Sequence, residues 1–153
     1  MADDSKAKVT DVLQNLIETC RDGQKGYAEA AEHISANHSL KQFFREQSTE
    51  RGRFLSELTQ EMQTYDKDVD TSGSISGKLH RTWLEIKGSV TGGDDHAILE
   101  TVEQGEDYAK KAYEDAVSAS LPSHILEVVR RQQGSVNAAH DKVRSMRDAT
   151  EKV

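Results

Sequence analysis

The chain has 153 residues and a formal net charge of −7, with 27 acidic against 20 Lys and Arg side chains, one proline and one cysteine. That length holds one domain over residues 1–153 with a sizeable core, and its acidity repels phosphate backbones, so nucleic acid is not an expected partner. Cys20 has no partner for an internal disulfide, the N-terminus lacks the apolar segment of a signal peptide, and no apolar run approaches the ~20 residues of a membrane span, so a cytoplasmic protein that does not enter membranes is expected.

Abundant Glu, Lys, Ala, Gln and Leu lose little rotamer freedom in a helix and predict an all-α fold. Val9, Leu13, Leu16, Cys20, Tyr27, Ala31 and Ile34 fall on one stripe at about 100° per residue, which predicts a first helix over 6–36. Ser39 and Gln42 have the spacing of a capping box at the start of a second helix, 39–66, whose stripe is Leu40, Phe43, Phe44, Gln47, Phe54, Leu58 and Tyr65. A polar stretch with Thr71-Ser72-Gly73-Ser74 breaks the pattern. Ile75, Leu79, Trp83, Ile86 and Val90 then mark a shorter helix over 75–91, ended by Gly92-Gly93. Leu99, Val102, Ala109, Tyr113 and Ala116 give a third long helix, 94–119. Pro122 is tolerated only in a first helical turn, so Leu121-Pro122 fixes the last hairpin before a fourth helix, 122–150, with Ile125, Val129, Val136, Ala139 and Val143 inward.

Short turns make helices one and two, and three and four, antiparallel neighbours. The connection between helices two and three is long enough to return along a bundle of about 40 Å. One long, helix-containing crossover is the ferritin-like form of the antiparallel four-helix bundle. A repeat supports two related hairpins: Leu16-Ile17-Glu18-Thr19 with Gly23 recurs 82 positions later as Ile98-Leu99-Glu100-Thr101 with Gly105.

Several short motifs carry a family resemblance. They are Asp22-Gly23 with Tyr27, Glu50-Arg51 with Phe54, Leu79-His80-Arg81 with Trp83, Glu103-Gln104-Gly105-Glu106-Asp107, and Ala139-His140-Asp141. Together they resemble an uncharacterised bacterial group of ferritin-like four-helix-bundle proteins defined by a domain of unknown function. The resemblance implies the fold. By analogy with the wider ferritin-like superfamily, it suggests metal handling, oxidation chemistry or peroxide removal.

Di-iron sites in such bundles take one Glu from each of two helices and Glu-x-x-His from each of the other two. That motif is missing here. Arg53 stands three residues after Glu50, where it can neutralise leftover carboxylates, and the fourth helix offers only Gln132 or Gln133 at the matching place. Glu18 and Glu100 lie opposite their apolar stripes and are not expected ligands. The inward polar residues are Gln24, Gln47, Glu50, Glu57, Glu106, Gln132, Gln133 and His140. Counting from the two hairpin turns puts Gln24, Glu50 and Glu106 in one layer, and Cys20, Glu57 and His140 in a second, with Glu103 at its edge. Glu50, Glu57, Glu103, Glu106 and His140 are therefore the candidate ligands for iron, manganese or zinc. The competing reading pairs Arg51 with Glu50 or Glu106 and makes His140 a hydrogen-bonded core histidine. Cys20 reads as a small buried hydrophobe, and His80 as a docking residue on the crossover.

Two functions follow. One is a ferritin-like protein that binds a transition metal through a degenerate carboxylate and histidine site, in metal handling or oxidative stress. The other is a non-catalytic, stress-associated bundle that binds protein partners without metal. A homodimer is the default assembly for an acidic bundle. A small-molecule or lipid carrier is the weakest alternative, because Phe43, Phe44, Phe54 and the tyrosines fill the interior. No nucleophile constellation, glycine-rich phosphate loop or Cys-x-x-Cys pair points to another enzyme class.

Overall fold

The computed structural model describes residues 2–34, 38–66 and 95–151. Among these the chain forms four helices and no strand: α1 (Ala2–His33), α2 (His38–Tyr65), α3 (Asp95–Ser118) and α4 (Ser123–Glu151). Their ends fall within a few residues of those expected from periodicity. The crossover helix expected over 75–91, with His80 and Trp83, lies outside the described residues.

Local chemistry sets the helix ends. Pro122 immediately precedes α4, and its carbonyl accepts the Leu126 amide at 2.8 Å. A residue without an N–H is tolerated there because the first helical amides have no intrahelical acceptor. The capping box expected at Ser39 and Gln42 does not form. Gln42 Nε2 donates to Glu46 Oε1 at 3.1 Å, an i,i+4 pair along the exposed face of α2.

The packing pattern places α1 beside α2 and α3, and α4 beside α3 and, least extensively, α2. Two apolar clusters show which ends meet. Val9, Leu13 and Cys20 of α1 pack with Leu58 and Met62 of α2, Tyr113 and Ala116 of α3, and Ile125 and Val129 of α4. Tyr27 and Ile34 pack with Leu40 and Phe44, Ile98 and Val102, and Ala139 and Val143. Every packed pair of helices is therefore antiparallel. The end of α1 and the start of α2 lie at one end of the bundle, and the α3–α4 turn lies at the other. Between the two clusters, the sequence leaves a polar layer centred on Arg51 and Glu106.

Candidate functional site

The polar layer starts from a guanidinium in the middle of an apolar stripe. Arg51 stands four residues after Gln47 and three before Phe54, so helical spacing carries it into the core. It is 1 % exposed. Its Nη2 donates to Glu106 Oε2 at 2.6 Å, and Glu106 is fully buried. Gly23 makes room for this pair, because a Cβ there would meet Arg51 Nη1 at 3.2 Å. The guanidinium carbon also lies 5.4 Å from the centre of the Tyr27 ring, a favourable cation–π position. Burial opposes the Arg51 charge, but the adjacent Glu106 carboxylate holds that guanidinium above its ordinary value. Burial, followed by the Glu106 charge, drives Tyr27 well above the ordinary phenol range.

A second chain of hydrogen bonds begins one turn away. Tyr113 Oη donates to Gln132 Oε1 at 2.7 Å. The phenol has a single proton, so the Cys20 thiol is the donor in its 3.2 Å contact with Tyr113 Oη. Gln132 Nε2 donates to Glu57 Oε1 at 3.1 Å, and Arg131 Nη2 donates to Glu57 Oε2 at 2.5 Å. Those bonds, Arg131 first, hold the Glu57 carboxyl below its ordinary value despite some burial. Burial pushes the Cys20 thiol up to about 11, so it is a protonated structural group near neutral pH rather than a nucleophile.

The flank between α3 and α4 is different. Glu103, Asp107 and His140 bring one ligand atom each within 4.8 Å of one another. His140 Nε2 is 2.7 Å from Asp107 Oδ1, and its Nδ1 is 3.3 Å from Asp141 Oδ1. The imidazole is nearly buried, at 7 % side-chain exposure, while Asp107 is open to solvent at 62 %. Glu103 pairs with Arg147, whose Nη2 donates to Asp148 at 2.9 Å. Glu103, Asp107 and Arg147 line a pocket of about 410 Å³ that also holds the His96–Glu100 pair, 2.6 Å apart. Glu29, Glu32 and His33, all in the last turns of α1, are the other group that converges among the described residues.

The structure divides the five expected ligands. Glu103 and His140 converge. Glu106 is bound to Arg51, and Glu57 to Arg131 and Gln132. Glu50 is half-buried on the wall of a groove of about 930 Å³ along α2 and α4, beside Arg53 and Glu57. The neutralising arginine is Arg51, whereas Arg53 is exposed. The expected second layer also splits, with Cys20 and Glu57 on one side of the Arg51–Glu106 pair and His140 and Glu103 on the other. Counting depth from both hairpin turns in one direction fails because those turns lie at opposite ends.

Sequence reading missed Asp107 as a site residue. The available signal was its i,i+4 spacing from Glu103, which puts both carboxylates on one helix face.

No helix among the described residues is long and apolar enough to cross a membrane. No curated protein matches the chain. A family model matches residues 8–119, which include α2, α3 and most of α1 but stop short of His140 and Arg147. With that match covering most of its length, the chain belongs to the family described as Domain of unknown function (DUF2383).

Proposed function

We propose that this chain is a ferritin-like four-helix bundle that binds one divalent transition metal ion (iron, manganese or zinc) through Glu103, Asp107 and His140, in metal handling or oxidative stress. The ferritin-like reading is supported by the antiparallel order of every packed helix pair, which needs a long crossover between α2 and α3. The metal reading is carried by one observation: three donor atoms within 4.8 Å around a nearly buried imidazole.

The donor set fits this class of ion. Two carboxylates and an imidazole suit borderline transition metals better than all-oxygen cations such as calcium or magnesium. Asp141 beside Nδ1 is placed to accept its proton, leaving the Nε2 lone pair toward Glu103 and Asp107, the carboxylate–histidine arrangement of bound metals. Three protein ligands leave positions for water on the solvent side, where a bound ion would act as a Lewis acid or, if iron or manganese, exchange electrons. His140 would orient that ion and Asp107 would face the solvent entry.

Titration with Zn(II), Mn(II) and anaerobic Fe(II) tests the reading. Saturable uptake of one ion per chain is expected, with affinity falling in His140→Ala and Asp107→Asn by more than the roughly ten- to hundred-fold that loss of an outer-shell partner costs. Glu57→Gln should bind as the parent does. Failure to take up any of the three ions overturns the proposal.

The second reading, a metal-free bundle that binds protein partners, is favoured by Arg51. An internal guanidinium already holds the carboxylate at the bundle's centre, so the core needs no ion for neutrality. A melting temperature that moves with neither chelator nor added ion would support it.

A further inference from the structure

The flank site contains a cation of its own. Glu103 is the least hydrated carboxylate of its cluster, with a side chain 12 % exposed. Carboxylates crowd this flank: Glu100, which pairs with His96, and Glu103, Asp107 and Asp141. The guanidinium that faces Glu103 comes from Arg147, two turns beyond His140 along α4. An ion held by Glu103 and His140 competes with that guanidinium for the charge of one poorly solvated carboxylate.

The two contacts differ in what they fasten. His140 is anchored in the middle of α4, beside the apolar residues Ala139 and Val143. Arg147 lies in the last two turns of α4, which ends at Glu151. Terminal turns open at lower free energy than helix centres. Releasing Arg147 therefore acts at the end of the helix and not at its centre, and the pocket it already lines gives the freed side chain room. Asp148, which also accepts from Arg147, is next to it in sequence.

We propose that Arg147 is a latch: in the free protein it fills the metal's place on Glu103, and divalent-ion binding at Glu103, Asp107 and His140 releases it together with the last turns of α4. This rests on the metal reading above. The coupling is reciprocal, so whatever draws Arg147 away tightens metal binding, and metal binding loosens Arg147 by the same factor. Occupancy of the site would thus be reported at the end of α4, beyond the residues that hold the ion.

Calorimetric titration of the full chain with Zn(II), on the parent and on Arg147→Gln, Arg147→Lys and His140→Ala, tests the latch. Arg147→Gln should bind on the order of ten-fold more tightly than the parent, with Arg147→Lys between them. Hydrogen exchange should show residues 144–149 of the parent losing protection on Zn(II) binding, with a smaller change in Arg147→Gln. An arginine that merely supports the helix would lower the melting temperature without raising affinity. If the parent binds Zn(II) through His140 but Arg147→Gln binds equally or less tightly, the latch is overturned while the metal site stands. If neither binds, the metal reading falls and the latch falls with it.

Discussion

Glu106 and Asp107 are neighbours on α3, and the helix turns them about 100° apart. Glu106 enters the core and meets Arg51, a cation covalently part of the chain and sealed from water. Asp107 faces the flank, meets the edge of His140 and stays open to solvent. Burial accounts for the contrast: a carboxylate with no water around it needs a permanent, hydrogen-bonded counter-charge. One that keeps its water can exchange partners. The same element thus holds a fixed charge pair and, 1.5 Å further along its axis, a carboxylate that stays in contact with water.

The largest expected effect breaks the fixed pair. Arg51→Met leaves Glu106 uncompensated and should cost about 3–5 kcal/mol in urea unfolding. Arg51→Met combined with Glu106→Leu should recover most of that loss, because a buried pair replaced by apolar groups of similar volume is often neutral or better. A double variant as unstable as the single one would mean that the site needs the charges themselves.

Next comes the hydrogen-bond chain. Tyr113→Phe removes the acceptor for Cys20 and the donor for Gln132, and should cost about 1–3 kcal/mol by leaving buried groups unpaired. Thermal unfolding at fixed pH measures it, and a loss below a few tenths would show that this chain is incidental to the core.

A third acid, buried like Glu106, sharpens the comparison. Asp22, 2 % exposed, has a carboxylate with no hydrogen-bond partner among the described residues. Burial, then the like charge of Glu18, pushes it from 3.8 up to about 6. The folded chain therefore binds this proton more tightly than the unfolded chain does. Its contribution to stability falls as pH rises from about 4 to 6 and stays low above that. Asp22→Asn should remove this slope and gain about 1–2 kcal/mol at pH 7, read from urea midpoints at pH 4 and pH 7. No gain at neutral pH would place Asp22 with the satisfied acids.

The smallest effect concerns two glycines. A Cβ at Gly134 meets nothing within 4 Å, whereas at Gly23 it presses on Arg51. Gly134→Ala should gain about 0.5–1 kcal/mol from helix propensity, and Gly23→Ala should give less than that or a loss. Equal gains at both would mean that the guanidinium is free to move aside.

The helices were legible because a 3.6-residue period survives any environment that buries one face. Val9 to Ile34, Leu40 to Tyr65, Leu99 to Ala116 and Ile125 to Val143 each declared a stripe. Arg51 shares that spacing, but arginine is so rarely buried that the sequence offers it as a partner for Glu50 or Glu106 and not as a core residue. Glu50, one residue earlier, drew attention for its chemistry although the helix turns it to the groove wall. The site was harder to read because depth depends on where the hairpin turns lie relative to each other. Pairing within each hairpin was recoverable from turn positions. The pairing that joins Cys20 to Tyr113 belongs to contacts between hairpins and has no local signal, whereas Arg51 with Glu106 is one of the two pairings the sequence itself offers.

The antiparallel order of every packed pair has an electrostatic consequence. Each helix carries about half an elementary charge of opposite sign at its two ends. With neighbours always reversed, two amino ends and two carboxyl ends meet at each end of the bundle, and their fields largely cancel along its axis. The backbone thus imposes little potential at the midpoint, which is left to be set by the side chains of Arg51, Glu106 and Tyr27.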